Sequence, residues 1–199
     1  MQTHNQTTPF TTAASSLLTI LATLDSRIKA TKEKEFEIWR KTVNLPTRGS
    51  SIFALATYAK EQGLYIKVIV EKKEYNFPDY RFYRYKKEEI EEAKFSSKQH
   101  LKEAERQGVK IEEKTINLVN IKSKLNQNKI LLLRVNTKPI RNEKRNTSNF
   151  IVVFGHSNHY YHIFDPALGG ISVPEKLMEE AFYTLETKKF RDHRMIEFS

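Results

Sequence analysis

Residues 130–135, 150–154 and 160–164 are runs of branched and aromatic residues crowded into the last third of the chain and separated only by polar connections. Side chains of this kind pack well on a pleated surface, so the runs predict adjacent strands of one sheet. The first third reads differently. Over 12–24, Ala13, Ser16, Leu17, Ile20, Leu21 and Leu24 recur at three- and four-residue spacings, the stripe of a helix lying on a core. A second helix is expected over 31–42, with Thr31 as cap and Glu33 and Glu35 in its first turns. After a loop at Pro46 and Gly49, Ser50 or Ser51 caps a third, which runs to Gln62 and stops at Gly63. Helices first and antiparallel strands later is the order of an α+β fold, with a helical N-terminal side packed on an antiparallel β-sheet C-terminal side.

The segments between are less regular. A strand is predicted over 65–70, an irregular surface excursion over 71–84, and a charged helix, or a helix pair broken at Ser96 and Ser97, over 86–107. A short strand over 109–112 and a helix over 117–126 follow. The stretch 136–148 reads as a long exposed loop. Beyond the turn at Gly169 and Gly170, Ser172 is expected to cap a helix running to about Leu185, with Pro174 and Glu175 in its first turn. Residues 194–198 would close the sheet as an edge strand. These patterns divide one domain, 1–199, into a helical part (1–64), a mixed part (65–129) and a sheet part (130–199).

Composition narrows the chemistry. With 199 residues, 39% of them hydrophobic and only 6 Gly and 6 Pro, the chain has the makings of a packed core and none of the signature of collagen or disorder. It contains no cysteine, which excludes disulfides, thiolate metal sites and a cysteine nucleophile. A formal charge of +10 permits an anionic partner. The N-terminal residues lack the basic start and apolar centre of a signal peptide, and the apolar run 17–24 is too short for a bilayer, so a cytoplasmic protein without a membrane span is expected. The string 80–87 interleaves aromatic rings with Arg81, Arg84, Lys86 and Lys87, a composition that suits nucleic acid or a solvated surface. A second basic cluster, Lys138, Arg141, Lys144 and Arg145, falls in the loop before Asn149. His156, His159 and His162 surround a turn, and strand geometry does not bring the three together on a metal.

Five strings carry a family resemblance: Gln6 with TTPFT and then Thr12, Ala13, Ala14 and Ser15; LPTRGSSIFALATYAKEQGLYIKVIV; TINLVNIKSKLNQNKILLLRV; SNFIVVFG; and HIFDPALGG. In this order they resemble the papain-like cysteine peptidases that cut double-glycine leader peptides, and more closely the stand-alone bacterial and archaeal relatives of that family. The resemblance spans nearly the whole chain and implies a papain-like fold. It also implies a site: Gln6 at the oxyanion position, Asp165 at the orienting position, Thr12 where the family has its Cys and Asn149 where it has its His. A threonine hydroxyl is not ionised near neutral pH without a strong base, and an amide is no base. The expectation is therefore a pseudoenzyme without cofactor or metal, which binds an extended peptide or protein tail through Gln6, Thr12, Asn149 and Asp165, with His162 as the one histidine near enough in sequence to matter. The alternatives are a hydrolase or acyltransferase in which Thr12 finds a non-standard base, and a basic nucleic-acid-binding module.

Overall fold

A computed structural model describes residues 2–74, 86–185 and 191–199. Three helices come first, α1 (Thr12–Leu24), α2 (Lys32–Thr42) and α3 (Ile52–Glu61), at the positions the apolar spacing predicts. Thr31 caps α2 by accepting from the Lys34 N–H, and Gly63, at φ +83°, ends the α3 turn by donating its N–H to Lys60 O at 2.9 Å. Then come β1 (Ile66–Val70), α4 (Lys87–Arg106), β2 (Lys110–Glu113) and α5 (Leu118–Asn126). α4 is continuous, and Ser96 and Ser97 do not break it. The remainder is β3 (Ile130–Asn136), the short α6 (Lys138–Arg141), β4 (Ser148–Ser157), β5 (Tyr160–Asp165), β6 (Gly169–Pro174), α7 (Glu175–Tyr183) and β7 (Arg194–Phe198).

All seven strands form one sheet in the order β2-β1-β7-β3-β4-β5-β6, antiparallel throughout except for the parallel β1·β2 pair. Two expectations are corrected here. β7 is not an edge strand: it lies between β1 and β3 and joins the two halves of the sheet. Ser172 does not cap a helix; it sits in β6, and α7 begins only at Glu175. Gly169 and Gly170 hid this strand, because they offer no side chains to a pleat, and only Ile171 and Val173 alternate.

The sheet is covered on both faces, not only by the N-terminal helices. Leu132, Val152 and Ile196 point into a core shared with Leu17, Leu21, Phe53 and Leu55 of α1 and α3. Their neighbours Leu131, Leu133, Ile151, Val153 and Met195 point the other way, against Ile121 and Leu125 of α5 and Met178 and Phe182 of α7. Successive strand residues face opposite sides, so β3 must be apolar at nearly every position, and residues 130–135 are. Among the described residues no helix is long and apolar enough to cross a membrane.

Candidate functional site

The site is assembled from an N-terminal strap, the start of α1 and one end of the sheet. The strap is pinned at several points: His4 N donates to Thr19 Oγ1 at 3.0 Å, Thr7 N to Glu35 Oε1 at 3.0 Å, and Gln6 N to Pro166 O at 2.9 Å, while the Ser15 hydroxyl donates to His4 O. Glu35 is fully buried in α2. Burial pushes its carboxyl up, but hydrogen bonds from Thr11, the Thr7 N–H and His4 outweigh it and leave the pKa lowered. This anchoring holds the Gln6 side chain over the first residue of α1, where Thr12 Oγ1 donates to Gln6 Oε1 at 2.9 Å.

On the sheet side, Ser16 Oγ donates to Phe150 O at 2.8 Å, a buried tie that sets the start of α1 against the start of β4. Asn149 lies there, opposite Val135 of β3. With its amide oriented to satisfy its neighbours, Asn149 Oδ1 accepts from Thr137 Oγ1 at 3.1 Å and from Arg141 Nη1 at 3.3 Å, and its nitrogen donates to Ser148 O at 3.2 Å. Arg141 Nε donates in turn to both oxygens of Asp165, at 3.1 and 2.9 Å. Asp165 ends β5, is fully buried, and also accepts from the Ala167 N–H at 2.8 Å, closing its own Asp-Pro turn. A guanidinium thus bridges Asn149 and Asp165.

The sequence reading names Arg141 only as one cation of a basic loop cluster and misses its bridging role. Arg141 belongs to α6, inside the stretch expected as an exposed loop, and its side chain is only 9% exposed. Pro139 near the start of α6 was the available signal, since proline favours the first turn of a helix. Arg81 and Arg84 lie outside the described residues; Lys86 and Lys87 sit at the start of α4, where Lys86 N donates to Glu89 Oε2.

His162 does not join the group. Its Nε2 lies 2.7 Å from Ser157 Oγ and its Nδ1 3.0 Å from Ser172 Oγ, on a different part of β5 from Asp165. His156 and His159 instead both face Glu175, at 2.5 and 3.5 Å. With Lys122 at 2.7 Å, whose hydrogen bond is the largest influence, they draw that carboxyl down to about 2. Among the described residues no three His, Cys, Asp or Glu side chains are placed to hold a metal ion.

Thr12 and Asn149 line one cleft of about 380 Å³. Its walls are the strap and first residues of α1, the loop from α2 into the start of α3, Ser97 of α4, and one end of β3, β4 and β7; it opens at strand ends rather than along a free sheet edge. No histidine lines it among the described residues, and no base shares a hydrogen bond with the Thr12 hydroxyl, whose proton goes to an amide oxygen. Such a surface offers hydroxyl, amide and guanidinium donors to a ligand.

The Peptidase_C39 like family matches residues 1–199. A solved structure from Bacillus anthracis, described as a C39-like peptidase, aligns over 100% of this chain and 94% of its own at 10% identity, with a TM-score of 0.52. A double glycine motif protease from an AMS/PCAT transporter, solved in complex with the leader peptide, aligns over 99% and 90% at 15% identity, with a TM-score of 0.46. No curated protein matches the chain.

Proposed function

The chain belongs to the Peptidase_C39 like family, and we propose that it has kept the cleft of that family without its chemistry, binding an extended peptide or protein tail that it does not cut. The observation that carries this reading is the arginine bridge. In the resemblance drawn from the sequence, Asn149 and Asp165 stand where an imidazole and its orienting carboxylate belong, and Arg141 connects the two. A guanidinium stays protonated at any working pH and accepts no proton, so it cannot relay one from Thr12. The Asp165 carboxylate is committed to it. Gln6, the oxyanion residue of the resemblance, turns its oxygen toward Thr12 and accepts the proton a nucleophile would have to lose.

The test has two readouts. Incubated with a quenched-fluorescent library of extended peptides, the wild-type chain and Thr12→Ala are expected to show the same absence of turnover. Peptides captured from that library should bind Asn149→Leu about tenfold more weakly, the effect of losing one good polar contact of about 1.4 kcal/mol. Turnover that disappears in Thr12→Ala would overturn the reading.

A further inference from the structure

We infer that the cleft selects its occupant by carboxylates: the tail it takes carries acidic side chains, or its own terminal carboxylate, into a ring of arginines. This rests on the cleft being a peptide site and names the chemistry of the peptide.

Four guanidinium groups, those of Arg48, Arg134, Arg191 and Arg194, line the cleft, and among its described lining residues there is no Asp or Glu. Two of the four are locked in place. Arg134 Nε donates to Ser148 Oγ at 2.7 Å, and Arg194 Nε sits on both oxygens of Asp192 at 2.9 and 2.8 Å, with its guanidinium over the Phe53 ring. Asp192 also takes Arg134, at 3.3 Å, so one carboxylate stands behind two arginines. Arg48 is exposed at the rim. Arg194 Nη2 also donates to Lys72 O at 3.0 Å, so Arg134 and Arg194 supply fixed positive charge to the wall, while the exposed Arg48, seated over the Phe10 ring, has the planar fork of donors that matches carboxylate geometry.

The helices point the same way. α1 and α3 both begin in this cleft, through Thr12 and Ala13 and through Ser51 and Ile52, and neither has a side-chain cap. Their first-turn N–H groups add partial positive charge at the cleft. The second, independent sign of a ligand is Ser51. It is only 7% exposed, lines the cleft, and its hydroxyl has no hydrogen-bond partner among the described residues. The Ser51 hydroxyl opens into the cleft, where an anion would accept its hydrogen bond.

A peptide suits this site better than a nucleic acid. Phe10, the ring at the rim, packs against Trp39 at 4.9 Å and Phe36 at 6.4 Å, and Arg48 covers its face at 5.6 Å, so it is not offered to a base. Ile52 and Phe150 instead give apolar wall for side chains between the acids.

Fluorescence anisotropy on the full chain tests this with labelled octapeptides: alternating Glu and Leu with a free C-terminus, the same with a C-terminal amide, and alternating Gln and Leu. The Glu peptide should bind at least about tenfold tighter than the Gln peptide and weaken as salt screens the charges. Arg48→Glu should remove about tenfold of that affinity, and Ser51→Ala part of it, with circular dichroism and melting unchanged. A drop on amidation assigns the terminal carboxylate as the anchor; no drop assigns the side chains. Equal binding of the Gln peptide, indifferent to Arg48→Glu, would overturn the charge selection and leave the peptide cleft standing. Binding of no peptide would remove both, and preference for a single-stranded oligonucleotide of equal charge would overturn the peptide assignment.

Discussion

At the scale of single residues, the decisive contact is between two groups far apart in sequence. Gln6, Thr12, Asn149 and Asp165 could be singled out from the sequence because each falls in a recognisable string. Arg141 was legible only as one cation of a basic cluster, since nothing in KPIR says that its guanidinium is folded inward. The pair it makes with Asp165 lies in a low-dielectric interior, where desolvation offsets much of the attraction and removal of one partner strands the other. Arg141→Met should therefore destabilise the fold by about 3–5 kcal/mol, because it leaves the Asp165 carboxylate without its cation. Arg141→Met with Asp165→Asn should cost clearly less than the sum of the single changes, since each exposes the same loss. Urea titrations of the four proteins give the coupling. Additive losses would show that Arg141 and Asp165 do not act as a pair.

At the scale of elements, the sequence was legible wherever the local signal and the tertiary role agreed. α1, α2, α3 and α5 fall within a residue or so of their predicted spans, because apolar spacing and caps act locally. β6 was missed because Gly169 and Gly170 give its pattern no side chains to read, and β7 was misread because its role is set by a distant partner: it pairs with β1, 132 residues earlier in the register of Ile66 with Phe198, which periodicity does not encode. Capping separates local from functional use of a side chain. Asn117 accepts from the Asn120 N–H at 2.8 Å at the start of α5, so Asn117→Ala should cost about 1 kcal/mol in thermal or denaturant stability. Ser51 stands at the same position of α3 without making that bond, and Ser51→Ala should leave stability nearly unchanged. An equal loss in both variants would show that Ser51 caps α3 in solution and is not held for the cleft.

Across the whole molecule, buried or half-buried carboxylates sit where the layers meet. Glu35 fastens the strap to α2 through His4 and Thr7. Glu71, at the end of β1, accepts from the His193 N–H at 2.9 Å just before β7, and although burial pushes its carboxyl up, the His193 contacts bring it below its usual value. Glu175 ties the start of α7 to Lys122 of α5 and to His156 of β4. All three therefore titrate lower folded than unfolded. A group of that kind binds its proton more readily in the unfolded chain, so its stabilisation is complete above the ordinary carboxylate value of 4.5 and is lost as pH falls through the folded value, about 2 for Glu175. Stability should hold from neutral pH down to about 5 and then fall steeply with acid, as the seams between strap, sheet and helices protonate. Chemical denaturation midpoints measured across that range should show the fall in the wild type and a shallower one in Glu175→Gln, which has no proton to take up there. An unchanged slope in the variant would mean that the Lys122, His156 and Glu175 cluster contributes nothing to the acid response, and would leave Glu35 and Glu71 to account for it.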